Sequence, residues 1–226
     1  MTSQEKMYRI TVTYVYLSVI LYDCKMTSKT VNKATTIFRE HNGLLHTSEA
    51  IRLGIAPRTL YVMRDNGLLE QISRGIYRLG ELPPLANPDL VRVALRIPKG
   101  VITLISALAF HDVTTQIPHQ VYVALPRHSE KPRLDYPPLR LFWFSPRSYS
   151  AGIEEHLLDN VPVQIYNLEK TIADCFKFRH QIGMDVVLEA LKESLQERRC
   201  QIEPLLKYAR INRVERVMRP YLEALV

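Results

Sequence analysis

The sequence predicts an α+β protein built from two units, on three observations. Apolar positions recur at three- and four-residue spacing between residues 30 and 65, broken by glycine-centred turns. Two short extended runs then flank Ser73-Arg74-Gly75. A stretch with three prolines, residues 80–88 (GELPPLANP), separates this part from a longer region where strands and helices mix before a helical end. A length of 226 residues accommodates two compact units. With 46% hydrophobic and 23% charged residues, the composition is that of an ordinary globular chain.

Each element follows from its own signals. Val31, Ala34, Ile37 and Phe38 mark an amphipathic helix over residues 30–41, closed by Asn42-Gly43. After the apolar step Leu44-Leu45, Thr47 or Ser48 is expected to cap a brief second helix that reaches Leu53, with Gly54 as its left-handed stop. Pro57 stands at the first position of a third helix, where its missing N–H is no loss, and Asn66-Gly67 ends that helix after Asp65. Residues 68–72 and 76–79 form a hairpin around Gly75. Residues 26–82 are therefore expected to be a winged helix-turn-helix, with the hairpin as the wing. Residues 83–88 are the expected linker.

Residues 89–226 are expected to form a mixed α/β domain with a helical C-terminal part. Helices are predicted near residues 89–95 and 103–111, and strands at 121–125, 139–144 and 161–166. Residues 126–138 are polar, basic and proline-rich and read as an exposed loop. From Leu168, the positions Ile172, Cys175, Phe176 and Phe178 mark a helix, followed by helices near 184–195, 202–209 and 212–225.

Residues 8–22 (YRITVTYVYLSVILY) are too short for the roughly 20 residues a membrane span needs, and no small-residue cleavage site follows them. Residues 1–25 are expected to be an over-extended gene start, ahead of an extra strand or a membrane anchor. Cys24, Cys175 and Cys200 are odd in number and form no CxxC pair, which suits a reducing cytoplasm. Cys175 reads as a small buried hydrophobe.

A net charge of +7 favours an anionic partner, nucleic acid before membrane surface. The excess is densest in residues 26–82, with 8 basic and 5 acidic side chains against 19 and 16 in residues 83–226. On a helix starting at Pro57, Leu60 and Met63 face inward, Arg58, Tyr61, Val62 and Asp65 face outward, and Thr59 lies on the shoulder. Arg58 is the expected base reader, since arginine bridges guanine O6 and N7, with Thr59 and Tyr61 reaching phosphate or a thymine methyl. Arg74 at the wing tip and Arg78 beside it are expected to hold phosphates. Arg64 is expected toward the packed face.

Two further basic clusters, Arg198–Arg219 and Arg127, His128, Lys131 and Arg133, read as solvated faces with a second anionic contact as the alternative. Lys170 and Asp174, four apart, read as a surface ion pair. Walker, GxGxxG, GxSxG, HExxH and EF-hand patterns are absent, and the histidines lack metal-ligand spacing. No catalytic residue, metal or cofactor is expected. A protein-interaction module, and a nuclease or nucleotidyltransferase with a winged-helix front end, stay open as alternatives.

The run GLLHTSEAIRLGIAPRTLYVMRDNGLLEQISRGIYRLG (residues 43–80) resembles the winged helix of the AbiEi family, antitoxins of type IV toxin–antitoxin and phage abortive-infection systems. The segments ISAL (105–108), VPVQIYNLEKTIAD (161–174) and RPYLEAL (219–225) resemble that family's C-terminal domain. The resemblance implies a cytoplasmic repressor of its own operon, acting at inverted repeats of double-stranded DNA. It also implies that the second domain counteracts a nucleotidyltransferase-like toxin. DNA-contact roles carry over to Arg58, Thr59, Tyr61, Arg74 and Arg78. Residues 1–25 have no place in the family pattern.

Overall fold

A computed structural model describes residues 28–225. The expectation for residues 1–25 lies outside the described residues. The chain divides into one unit ending at Pro84 and a second beginning at Leu85.

In the first unit, helix α1 occupies residues 28–40, with Ala34 and Phe38 buried. The helix ends as foreseen: Gly43 donates its N–H to the Phe38 carbonyl at 2.7 Å while Asn42 and Gly43 take positive φ. Leu44-Leu45 belongs to a strand, β1 (Leu44–His46), which sequence periodicity missed because three residues are too few to show alternation. Helices α2 (Thr47–Arg52) and α3 (Pro57–Asp65) follow, then β2 (Leu69–Ser73) and β3 (Ile76–Leu79). The strands form an antiparallel sheet in the order β1-β3-β2, with Leu45 opposite Tyr77 and Leu69 opposite Leu79. Phe38, Leu45, Ala50, Leu60, Met63 and Tyr77 share one core, so the third helix and the hairpin are set by the same packed residues.

The second unit is a mixed sheet with helices packed on it. Its elements are α4 (Pro88–Arg96), β4 (Val101–Ile102), α5 (Leu104–Phe110), β5 (Val121–Pro126), β6 (Leu139–Phe144) and α6 (Pro146–Tyr149). The chain continues through β7 (Ile153–Leu158), β8 (Val161–Tyr166), α7 (Leu168–Lys177) and α8 (Arg179–Ile182). It closes with α9 (Met184–Gln196), α10 (Ile202–Asn212) and α11 (Glu215–Leu225).

The strand order is β6-β5-β4-β8-β7, with β5–β6 and β4–β8 parallel and the other pairs antiparallel. Strands β4 and β7 were not anticipated. β4 has two residues, and β7 (IEEHLL) carries two glutamates at an edge, so neither shows a half-buried strand's pattern. Asp159 and Asn160, both at positive φ, turn β7 into β8 in a two-residue hairpin. Phe142 and Phe144 point to the face covered by α5 and α7, where the Phe144 ring stacks on Tyr166 at 5.8 Å. Asn167 caps α7 by accepting the N–H of Lys170 at 2.9 Å.

Candidate nucleic-acid interface

The turn between α2 and α3 is built from three constraints. Gly54 has φ +85°, a left-handed conformation that side chains with a Cβ rarely adopt. Ile55, 4% exposed, donates its N–H to the Ala50 carbonyl at 2.9 Å and pins the turn to the core. Pro57 then starts α3 in the first turn, with Leu60 and Met63 fully buried. Arg58, Tyr61 and Asp65 are left exposed, with Thr59 and Val62 half-buried at the flank. The outward face therefore carries the residues foreseen for it.

Arg64 differs from expectation. It is exposed rather than turned to the core, and its guanidinium donates twice to Oδ1 of Asp65, at 2.9 and 2.8 Å. It also lies 5.4 Å from the centre of the Tyr61 ring. The Asp65 hydrogen bond raises the Arg64 guanidinium above its ordinary value, so Arg64 stays charged while its charge is locally neutralised. Tyr61 is thereby braced from one side, a contact between positions three apart that helical spacing makes available.

The hairpin is tied to the start of α2 through Thr47. The capping role expected of Thr47 or Ser48 is not seen, because α2 starts without a side-chain cap bond. Instead Thr47 donates both its N–H (2.9 Å) and its Oγ1–H (3.2 Å) to the carbonyl of Gly75. That carbonyl lies in the hairpin turn, beside the exposed Arg74. A register irregularity between Gln71 and Ser73 precedes the same turn.

Arg78 is placed otherwise than its expected phosphate role requires. It sits on the central strand β3, 5% exposed. One guanidinium nitrogen donates to the carbonyl of Pro83, and another lies 3.9 Å from Glu70. Alternation along the strand does not expose it: all of β3 is buried, and the segment after the hairpin supplies the Pro83 carbonyl that Arg78 bonds. Arg39 on α1 makes a two-pronged bond to Glu81 in that segment, at 2.9 and 3.0 Å. This pair raises Arg39 and lowers Glu81 from their ordinary values, chiefly through the hydrogen bond.

In the second unit, the expected surface pair of Lys170 and Asp174 is instead fully buried. Lys170 Nζ donates to both Asp174 oxygens, and Asn212 adds a bond to Oδ1 at 2.7 Å. Burial pushes Lys170 down and Asp174 up from their ordinary values, each opposed by the other's charge. Gly152 makes room, since a Cβ there would stand 2.7 Å from the Lys170 Cβ. The amphipathic pattern of α7 hid this, because charged residues at helical spacing look the same whether solvent or α10 faces them.

The basic run over 198–219 is also partly spent on internal pairs. Arg210 and Arg219 both bond Glu215, at 3.1 and 2.7 Å, and lower its carboxyl below the ordinary range. Arg199 reaches Glu197 and the Asp112 carbonyl. Burial pushes the Cys175 thiol well up and the Cys200 thiol up to about 12, which leaves neither as a ready nucleophile. A cleft of about 260 Å³ lies beside the start of α4, with Asn87, Asp89, His119 and Gln120 among its lining residues. Among the described residues, no three His, Cys, Asp or Glu side chains group as metal ligands. Nor is any helix among them long and apolar enough to cross a membrane.

Comparison with known proteins fits this layout. Residues 32–80 match a family described as a transcriptional regulator, AbiEi antitoxin, so the resemblance read from the sequence is shown in the segment carrying α2, α3 and the hairpin. A solved structure, the RV2827C protein from Mycobacterium tuberculosis, is similar with a TM-score of 0.56 and 12% identity. The likeness covers 78% of this chain and 69% of that one, and at such identity it is a likeness of fold. No curated protein matches the chain.

Proposed function

From the match of residues 32–80 to the AbiEi antitoxin regulators, we propose that this protein is a DNA-binding repressor and antitoxin of a type IV toxin–antitoxin system. It is a cytoplasmic, non-enzymatic regulator that binds inverted repeats in its own operon through a winged helix, and counteracts a nucleotidyltransferase-like toxin through its second unit. The observation that carries the DNA-binding reading is the exposed face of α3. Arg58 and Tyr61 stand outward on a helix whose other side is locked into the core by Leu60 and Met63. A short helix so anchored can enter a major groove without losing its packing.

Arg58 supplies the bidentate donor for guanine, Thr59 and Tyr61 reach the adjacent backbone, and Arg74 on the hairpin turn takes a phosphate. Arg78 is left out of the contact set because its guanidinium is engaged internally. The test is a gel shift of the purified protein on its own promoter across a salt series. Specific retardation whose affinity falls steeply with salt is the expected result. Failure to discriminate the promoter from unrelated duplex DNA at any salt concentration would remove the repressor reading.

A further inference from the structure

A second surface combines a fixed, exposed aromatic ring with exposed cations. Among the described residues, β6 is an edge strand, paired only with β5. Its residues alternate: Phe142 and Phe144 enter the core, while Leu139 and Leu141 are half-buried on the other face and Trp143 is 45% exposed there. The indole is held in place, since its Nε1–H donates to the carbonyl of Ser129 at 3.0 Å.

The loop that supplies this carbonyl is itself clamped. Arg127 donates its N–H to the Phe144 carbonyl at 2.8 Å, and Ser129 closes a tight turn onto Pro126 at 3.1 Å, with His128 at φ 69°. Arg127, Lys131 and Arg133 project from this loop exposed, without an ion-pair partner among the described residues. Two acids, Glu130 and Asp135, share the loop. Arg140 is not part of the set, because its guanidinium lies over Tyr122 at 5.3 Å and bonds the Tyr122 hydroxyl.

With its only polar donor already used, the Trp143 ring has just its apolar faces to offer a partner. Flat apolar faces beside cations match nucleobases and phosphates together. Duplex bases are already stacked on one another, so the fit is to an unpaired strand. An acidic peptide would satisfy the cations but leave the ring without a stacking partner. A second copy pairing along β6 would set cationic loops side by side.

We propose that Trp143 and the loop over residues 127–133 form a contact surface for single-stranded nucleic acid. One base stacks on the indole, and Arg127, Lys131 and Arg133 take neighbouring phosphates. The surface is separate from the duplex reading of α3 and does not depend on it.

Trp143 is the sole tryptophan of the chain, so the intrinsic fluorescence of the full-length protein reports on this ring. An oligothymidylate of about 12 nucleotides is expected to quench that emission, with the quenching reversed by salt. The same strand annealed to its complement is expected to leave it unchanged. Arg127→Glu with Arg133→Glu should weaken the single-strand interaction about tenfold or more at an unchanged melting temperature. Trp143→Ala should weaken binding of a labelled strand about tenfold. Lys131→Glu alone serves where the double reversal misfolds. Absence of quenching by both oligothymidylate and oligouridylate at low salt overturns the proposal. So does equal quenching by polyglutamate, which would mark an acidic protein as the occupant. A gel shift on the promoter, unaltered by these variants, keeps this outcome distinct from that of the repressor reading.

Discussion

Lys170 donates to both carboxylate oxygens of Asp174 where neither side chain has any exposed surface. The pair sits in a chain of polar contacts. Ser148 of α6 donates to Asn212 of α10 at 2.8 Å, Asn212 donates to Asp174 of α7, and the Lys170 ammonium lies 4.3 Å from the centre of the Tyr166 ring. Three helices and the end of β8 are thus joined by groups that water cannot reach.

Breaking this pair is expected to be far more damaging than removing it. Asp174→Ala or Lys170→Met leaves an uncompensated buried charge and should destabilise the protein by about 3–5 kcal/mol. The double variant Lys170→Met with Asp174→Leu should cost less than the sum of the singles. Urea unfolding of all three variants measures both effects, and strictly additive losses would contradict the coupling.

Arg58 and Arg78 should separate contact from stability. Arg58→Ala together with Arg74→Ala should abolish operator binding while leaving the melting temperature near that of the parent, since exposed-face changes usually cost little. Arg78→Met should instead lower stability by about 1–3 kcal/mol, because the Pro83 carbonyl loses its donor. Thermal melts beside gel shifts distinguish the two, and a stable Arg78→Met that has lost DNA binding would restore its expected phosphate role.

Thr47→Val tests how the hairpin is held. The change keeps the shape and the backbone bond but deletes the Oγ1 bond to Gly75. A loss of about 1 kcal/mol in stability is expected. Operator affinity should fall as well, although Thr47 itself touches no DNA in the proposed contact set. Hydrogen exchange at the hairpin amides should quicken, and unaltered exchange would show that Thr47 does not anchor the turn.

His111 gives the second unit a pH-dependent part of its stability. Burial lowers its ionisation from the ordinary 6.5, opposed by its bond to the Tyr166 carbonyl and by Glu154. The unfolded chain then takes up a proton at higher pH than the folded one. Its contribution is fully present above about 6.5 and is lost as pH falls toward the depressed folded value. Thermal melts between neutral and mildly acid pH should fall more steeply for the parent than for His111→Gln.

The first unit was largely legible because its signals are local. Pro57, Gly54, Asn66-Gly67 and Gly75 act on the backbone at their own positions, so the bounds of α3 and of the hairpin could be read from them. The buried side of α3, Leu60 and Met63, followed from helical geometry, whereas the exposure of Arg64 did not. Strands β1, β4 and β7 were not legible, since two of them are too short to alternate and the third is an acidic edge. The role of Thr47 was missed for a related reason. Its partner, Gly75, is 28 residues away and the bond exists only once the hairpin has folded back.

By itself, then, the sequence determined where helices and turns fall, which side of α3 is apolar, and that the chain is basic. These depend on backbone preferences and on spacing along one element. Tertiary structure alone decided which charges remain available. It buried Lys170, Asp174 and Arg78, joined Arg39 to Glu81, and left Arg58, Arg127 and Arg133 exposed. The reason is physical: whether a charged side chain meets water, a carboxylate or a carbonyl depends on which distant segment packs over it, and residue type carries no record of that.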